Sequence, residues 1–445
     1  MSTLRIAAVL GLLLVISPVY AADGRQTDQE VPQIWTADLA VAFGLSQNPD
    51  SAIARKRIEE ARATATMISS VDYPMVHLLA EYGYTNTPMY SFGNILNQGE
   101  FDNSIDFNDP GRTDNLQVKA EILYRLYNGG RNRASKDSAN AQVDMSGTDL
   151  TAVHQRLGFE IVKTFHAIVQ AESMVTVREE SLEAISAAVE VGQARYDVGD
   201  LLRQDMLNLE LQQSRASENL IQSRHTLELT KRSFLNLLGL REGSVRVDPL
   251  DSPQQQLPGN IDYRDRHEMQ KISALEMAAE AELRKAQGGH LPTFDAYAAY
   301  QFDQGWELDG SGDSWSAGVR LNYALYDGKK TSSEVAVARL KMEEIQSLKK
   351  KTELSLNLEI QQAQLDYEQA VERKGVTEKM VAVAEEVARL SRVRFKEGVI
   401  LASDLIDFEM RLSDARSRHL AASANYQVAI ANLRRAAGLE QFSSQ

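Results

Sequence analysis

Arg394–Ser417 reads RFKEGVILASDLIDFEMRLSDARS, and a variant of it, RYDVGDLLRQDMLNLELQQSRAS, begins at Arg195. With Arg195 under Arg394 the two align without a gap. Gly199 falls under Gly398, Asp205 under Asp404, Glu210 under Glu409 and Ser214 under Ser413. The offset of 199 residues (394 − 195) holds as far as Gly239-Leu240 under Gly438-Leu439. So long a repeat inside helical sequence makes the chain two copies of one unit. Each copy places one glycine, Gly199 or Gly398, in an otherwise unbroken helical pattern, and the chain turns there.

Outward from these turns the sequence stays helical for a long way. None of the ten prolines lies between Gly111 and Asp248 or between Thr293 and Gln445. Proline-free runs of that length, rich in Ala, Leu, Glu, Arg and Gln, predict long helices over 129–199 and 328–398. Return helices are expected over 200–240 and 399–439. At 1.5 Å per residue the long helices reach about 100 Å. A helix beginning at Thr36-Ala37-Asp38 and another running from Asp50 to Ser70 precede the first long helix. Stacked end to end with the return helix, they are expected to form a column matching it. In the second long helix Leu354, Leu358 and Leu365 mark one apolar side, and Leu356, Ile360 and Ala363 another. A helix with two apolar sides packs neighbours on both, as in a ring.

Ahead of each long helix the period changes from helical to alternating. Val76, Leu78, Ala80, Tyr82 and Tyr84 share one face after Pro74, and Leu116, Val118, Ala120, Ile122, Tyr124 and Leu126 share another. A polar loop is expected between them, from Thr85 to Asn115. The second unit repeats the pattern after Pro292, with Phe294, Ala296, Ala298, Tyr300 and Phe302, then Trp315, Ala317, Val319, Leu321, Tyr323 and Leu325. Strand hairpins are thus expected at 74–127 and 292–326, with one apolar face, one polar face and aromatic ends, as in membrane barrels. A half-buried hairpin in a soluble sandwich alternates in the same way. Four strands cannot close a membrane barrel, and an open sheet in lipid would leave unpaired edges.

The expected organisation is an export signal at 1–21, a first repeat at 22–240, a linker at 241–265, a second repeat at 266–439 and a tail at 440–445. The signal reading rests on Arg5, the apolar run Ile6 to Ile16 and the small residues before Ala22. No cysteine is present, which removes disulfides and thiolate metal sites. A formal charge of −14 argues against nucleic-acid binding. The seven histidines are scattered, with no HExxH pair, and there is no GxxxxGK[ST] or GxGxxG motif. No metal site, cofactor or enzymatic activity is therefore expected.

The chain resembles the TolC-like outer membrane efflux proteins (outer membrane factors) over nearly its whole length after the signal. The resemblance is carried by LAVAFGLSQNP (39–49), the hairpins led by Pro74 and Pro292, LYNGG (126–130) and LYDGK (325–329), and the RYDVGD and RFKEGV turns. It implies a mixed α and β fold: a homotrimer sharing a twelve-stranded outer-membrane β-barrel, continuous with a long periplasmic α-helical barrel. It further implies the exit duct of a tripartite efflux pump or a type I secretion system, completed by a periplasmic adaptor (membrane fusion protein) and an inner-membrane transporter. Asp404 and Asp407, i and i+3 on the helix leaving the second turn, match the family's constriction aspartates, and Asp205 is expected to pair in the gate network. Val198-Gly199-Asp200 and Glu397-Gly398-Val399 are expected to meet the adaptor. Ile400 stands where the family has a gating arginine, and the absence of cysteine separates the chain from the lipid-anchored branch. The competing reading is a secreted or periplasmic coiled-coil scaffold or adaptor, which leaves the two matched hairpins unexplained.

Overall fold

A computed structural model describes residues 31–442 apart from 252, 254 and 260, so the expected export signal lies outside the described residues. The two units repeat one plan, with helical arms of equal length. In the first, β1 (Met75–Thr85) and β2 (Thr113–Tyr127) lead into α4 (Arg131–Asp197) and its return helix α5 (Arg203–Leu237). In the second, β3 (Thr293–Gln304) and β4 (Ser311–Asn322) lead into α7 (Lys330–Lys396) and α8 (Ala402–Ala436). Both long helices have 67 residues and both return helices 35. The shorter helices are α1 (Ala37–Gln47), α2 (Pro49–Ser69), α3 (Pro88–Asn97) and α6 (His267–Gln287).

The four strands form one antiparallel sheet in the order β1-β2-β3-β4. Its register collects the alternating apolar residues on one face: Val76 lies opposite Ile122, Ile122 opposite Ala298, and Ala298 opposite Ala317. The other face is polar, with Arg125 donating to Asp295 at 2.7 Å across β2 and β3. β4 ends at Asn322, so Tyr323 and Leu325 fall outside the strand. Both outer strands, β1 and β4, are edges within the chain.

The helices stand side by side as four columns. α4 packs against α2 and α6 along one part of its length and against α5 and α8 along the other; α7 packs against α6 and α8. The columns are therefore α2/α5, α4, α6/α8 and α7, with the first and last at the edges. The two stacked columns are joined by one device, a side chain capping a helix-end carbonyl. Asn48 Nδ2 donates to the Leu237 carbonyl at 2.8 Å, and Arg266 Nη1 donates to the Ala436 carbonyl at 3.0 Å. Gly239 and Gly438 take positive φ at these joints, and a Cβ on Gly239 would come within 2.9 Å of the Gln47 carbonyl oxygen.

Two expectations are corrected. The column of the first unit does not include α1. Asn48 is extended and Pro49 restarts the helix, so α1 leaves the line and lies along α4. Its Ala37, Ala40, Val41 and Phe43 join Trp35, Ile161, Val162, Phe165 and Phe234 in the largest apolar core among the described residues. The second correction concerns 85–115, which is not all loop. Pro88 at the N-terminus of α3 supplies the helical φ, and Ser91 and Ile95, spaced four apart, bury one stripe of a 10-residue helix.

Candidate functional site

The two hairpin tips end in the same backbone motif. At the first, the Gly199 N–H donates to the Tyr196 carbonyl at 3.0 Å and the Asp200 N–H to the Arg195 carbonyl at 2.8 Å. At the second, Gly398 donates to Phe395 at 3.0 Å and Val399 to Arg394 at 2.8 Å. This pair of bonds is the Schellman cap, and it requires the left-handed φ values of 84° and 75° that Gly199 and Gly398 adopt. Val198, Leu202, Val399 and Leu401 are exposed around the two turns, so the end of the helical region presents an apolar rim.

Asp404 and Asp205 occupy the first turns of the return helices, where a helix N-terminus favours negative charge, and Asp407 lies one turn further along α8. Asp404 is exposed and accepts from the Leu401 N–H at 3.4 Å, which makes it half of a capping box. Asp407, half-exposed, pairs with Arg411 four residues on at 2.7 Å. Asp205 holds the matching place on α5, its N–H donating to the Leu202 carbonyl at 3.1 Å. The fold thus keeps Asp404 and Asp407 together on α8, with Asp205 on the other hairpin. Among the described residues neither Asp205 nor Asp404 forms an ion pair within the chain, and Asp407 pairs only with Arg411 of its own helix.

Three further contacts hold the tips, and none was singled out from the sequence. Arg195, in the last turn of α4, crosses to the second hairpin. Its guanidinium lies 5.4 Å from the Phe395 ring centroid, and Nη1 donates to the Phe395 carbonyl at 3.2 Å. Inside the second hairpin Arg392 of α7 grips Glu409 of α8 through two bonds, at 2.5 and 2.8 Å. The Glu409 carboxylate, hydrogen-bonded to it, holds the Arg392 guanidinium above its ordinary range. Arg416 of α8 ties Glu180 of α4 to Glu385 of α7. Ile400 packs on the tip core of Ile185, Leu209, Phe395 and Leu405, so the position that carries a cation in the resembling family is apolar and inward here. A legible trace existed for Glu409, which repeats Glu210 at the 199 offset. Its partner left none, because the residue matching Arg392 is Gln193.

Among the described residues no group of three or more His, Cys, Asp or Glu side chains could hold a metal ion. No described helix is long and apolar enough to cross a membrane, which says nothing of a β-barrel. Comparison with known proteins identifies the family. The family model "Outer membrane efflux protein" matches residues 44–240 and 264–439, well over half of the chain. The chain belongs to the outer membrane efflux protein family. The outer membrane efflux protein BepC of Brucella suis is 25% identical over 225 residues, 49% of either chain, so the match spans about half the length of that relative. The CmeC outer membrane channel of Campylobacter jejuni has the same fold, with a TM-score of 0.79 at 14% identity over 94% of this chain and 92% of that one. So does the MtrE outer membrane channel of Neisseria gonorrhoeae in its open state, with a TM-score of 0.76 at 17% identity over 94% and 95% of the two chains. The family model divides the efflux protein into two segments, and the boundary between them falls in the stretch that separates α5 from α6.

Proposed function

We propose that three copies of this chain form one outer-membrane exit duct, a passive conduit whose periplasmic end is narrowed by the hairpin tips. The carrying observation is that the chain is open along its whole length. Among the described residues β1 and β4 have no partner strand on their outer sides. At the same lateral edges Leu354, Leu358 and Leu365 of α7 and Leu207, Leu211 and Ile221 of α5 are exposed. An unpaired sheet edge in lipid leaves backbone groups unsatisfied at several kcal/mol each. Pairing β4 of one copy with β1 of the next removes the edges, and the same rotation covers the apolar helix sides. Leu356, Ile360 and Ala363 are already buried within the chain, so the two apolar sides of α7 serve different neighbours.

In this assembly Asp404 and Asp407 make two rings of three carboxylates at the narrow end. Asp205 contributes charge from the neighbouring hairpin, and the Arg195–Phe395 contact holds the two tips of each chain together. The turns 198–200 and 397–399, with their apolar rim, are the docking points for a periplasmic adaptor that couples the duct to an inner-membrane transporter. Cell fractionation tests the proposal: the protein should remain with the outer membrane until detergent is added. Release by osmotic shock would instead support the periplasmic scaffold. Crosslinking from Asp200 and Glu397 in intact cells should capture a periplasmic partner, and its failure there would remove the docking role of the turns.

A further inference from the structure

The excursion between β1 and β2 is long where its counterpart between β3 and β4 is a short turn, and it folds in a definite direction. Thr113 and Asn115 lie on the polar face of the sheet, in phase with Gln117 and Lys119. The inner stripe of α3 is bonded to that face. Asn94 Nδ2 donates to Thr113 Oγ1 at 3.0 Å, Thr113 Oγ1 to Ser91 Oγ at 3.2 Å, and Gln98 Nε2 to Asn115 Oδ1 at 3.0 Å. Asn115 in turn donates to Asp303 of β3 at 2.6 Å. On β4, a Cβ at Gly312 would meet the Asn97 carbonyl oxygen at 2.1 Å, so the end of α3 presses directly on the sheet. Ser91, Gln98 and Thr113 are buried, which makes this a packed seat rather than a loose flap. The opposite stripe of the helix is apolar and uncovered: Met89, Tyr90 and Leu96 are exposed, and Gly93 between them faces open space.

We propose that the α3 helices of three copies meet on the barrel axis and form a plug at the outer mouth of the duct. The inference rests on the trimeric reading above. A barrel wears its apolar face outward and its polar face toward the lumen, so a helix seated on the polar face is inside. The dimensions agree. Twelve strands about 4.8 Å apart, tilted by about 40°, close at a backbone radius of about 12 Å. Three helices packed at interaxial distances of about 9 Å have their axes about 5 Å from the centre. Each adds about 5 Å of its own radius, so the trio reaches the wall and the mouth conducts only as the three helices part. The exposed stripe of Met89, Gly93 and Leu96 then becomes the shared core, with Gly93 permitting close approach. The occupant of the bare apolar stripe is therefore a second copy of the same stripe.

The chain has no cysteine, so single-cysteine variants report cleanly. Met89→Cys and Leu96→Cys are made in the full-length protein, purified as the oligomer, and treated with a short bis-maleimide or a bulky polyethylene-glycol maleimide. The plug predicts covalent dimers with the short reagent, slow labelling by the bulky one, and a crosslink that lowers single-channel conductance. Rapid bulky labelling without crosslinks, in a protein that sediments as a trimer, overturns the plug and leaves the duct standing. A protein that is not a trimer overturns both.

Discussion

Arg392 and Glu409 fasten the hairpin that carries the Asp404 and Asp407 pair, and replacing either should loosen that tip selectively. The Glu409 side chain is 9% accessible and takes two bonds from Arg392, whose own side chain is 48% accessible. Stranding a fully buried charge costs about 3–5 kcal/mol. Water reaches the open side of Arg392, so the coupling here should be about 2 kcal/mol. That corresponds to roughly a 30-fold change in the local opening equilibrium. The assay is amide hydrogen exchange of the detergent-purified protein, read over the segment that contains both residues. Arg392→Met alone should speed exchange there on the order of 30-fold. In a Glu409→Gln background, where no charge is left to strand, Arg392→Met should add little. The first hairpin supplies the control. Glu210, the counterpart of Glu409, is exposed, and Gln193, the counterpart of Arg392, bonds within its own helix to Asp197. Glu210→Gln should therefore leave its tip unchanged. Equal effects of Arg392→Met in both backgrounds would refute the reasoning.

Arg195→Ala removes the side-chain bond from the first tip to the Phe395 carbonyl of the second, and should raise the mean conductance or the open fraction in planar bilayers; unchanged gating would deny it a latch role. Gly398→Ala must adopt a φ of 75°, at a cost of about 1 kcal/mol, and proteolysis at the second tip should quicken while the first tip is unaffected. His166 is kept neutral by burial, its pKa lowered to about 4. The unfolded chain takes up a proton near pH 6.5, before the folded one does. Stability contributed by His166 is thus complete above about pH 6.5 and is lost as the pH falls toward 4, by up to ~3 kcal/mol. His166→Gln should flatten the decline of thermal stability over that window, and an unaltered slope would assign the decline to other groups.

Much of the fold was legible because its units repeat. The 199-residue offset located both tips, and the two periods, near 3.6 and 2, separated helix from strand. The faces of the sheet could be read in advance because a one-residue slip would have turned Val76, Ile122, Ala298 and Ala317 to the polar side. Two features were hidden by locality. Pro49 and Pro88 each begin a helix, but nothing nearby says whether that helix continues a column, as α2 does, or sits across a sheet, as α3 does. At the tips the aspartates were named through the family resemblance, since Asp404 and Asp205 in the first turns of their helices are also what any helix N-terminus favours. Two of the contacts that hold the tips join residues 200 or more apart, Arg195 with Phe395 and Arg416 with Glu180. Ile400 departs from the family's pattern and packs on the tip core, while the Arg195 guanidinium reaches the same tip from the other hairpin.

The central claim is that this chain is one third of a shared channel. The most direct test is to measure stoichiometry and conductance on the same sample, using protein extracted from the outer membrane in detergent. Three chains per particle, with single-channel conductance in a planar bilayer that changes in Asp404→Ala, Asp407→Ala, agree with the account. A single chain per particle, or a trimer that passes no current in any variant, contradicts it.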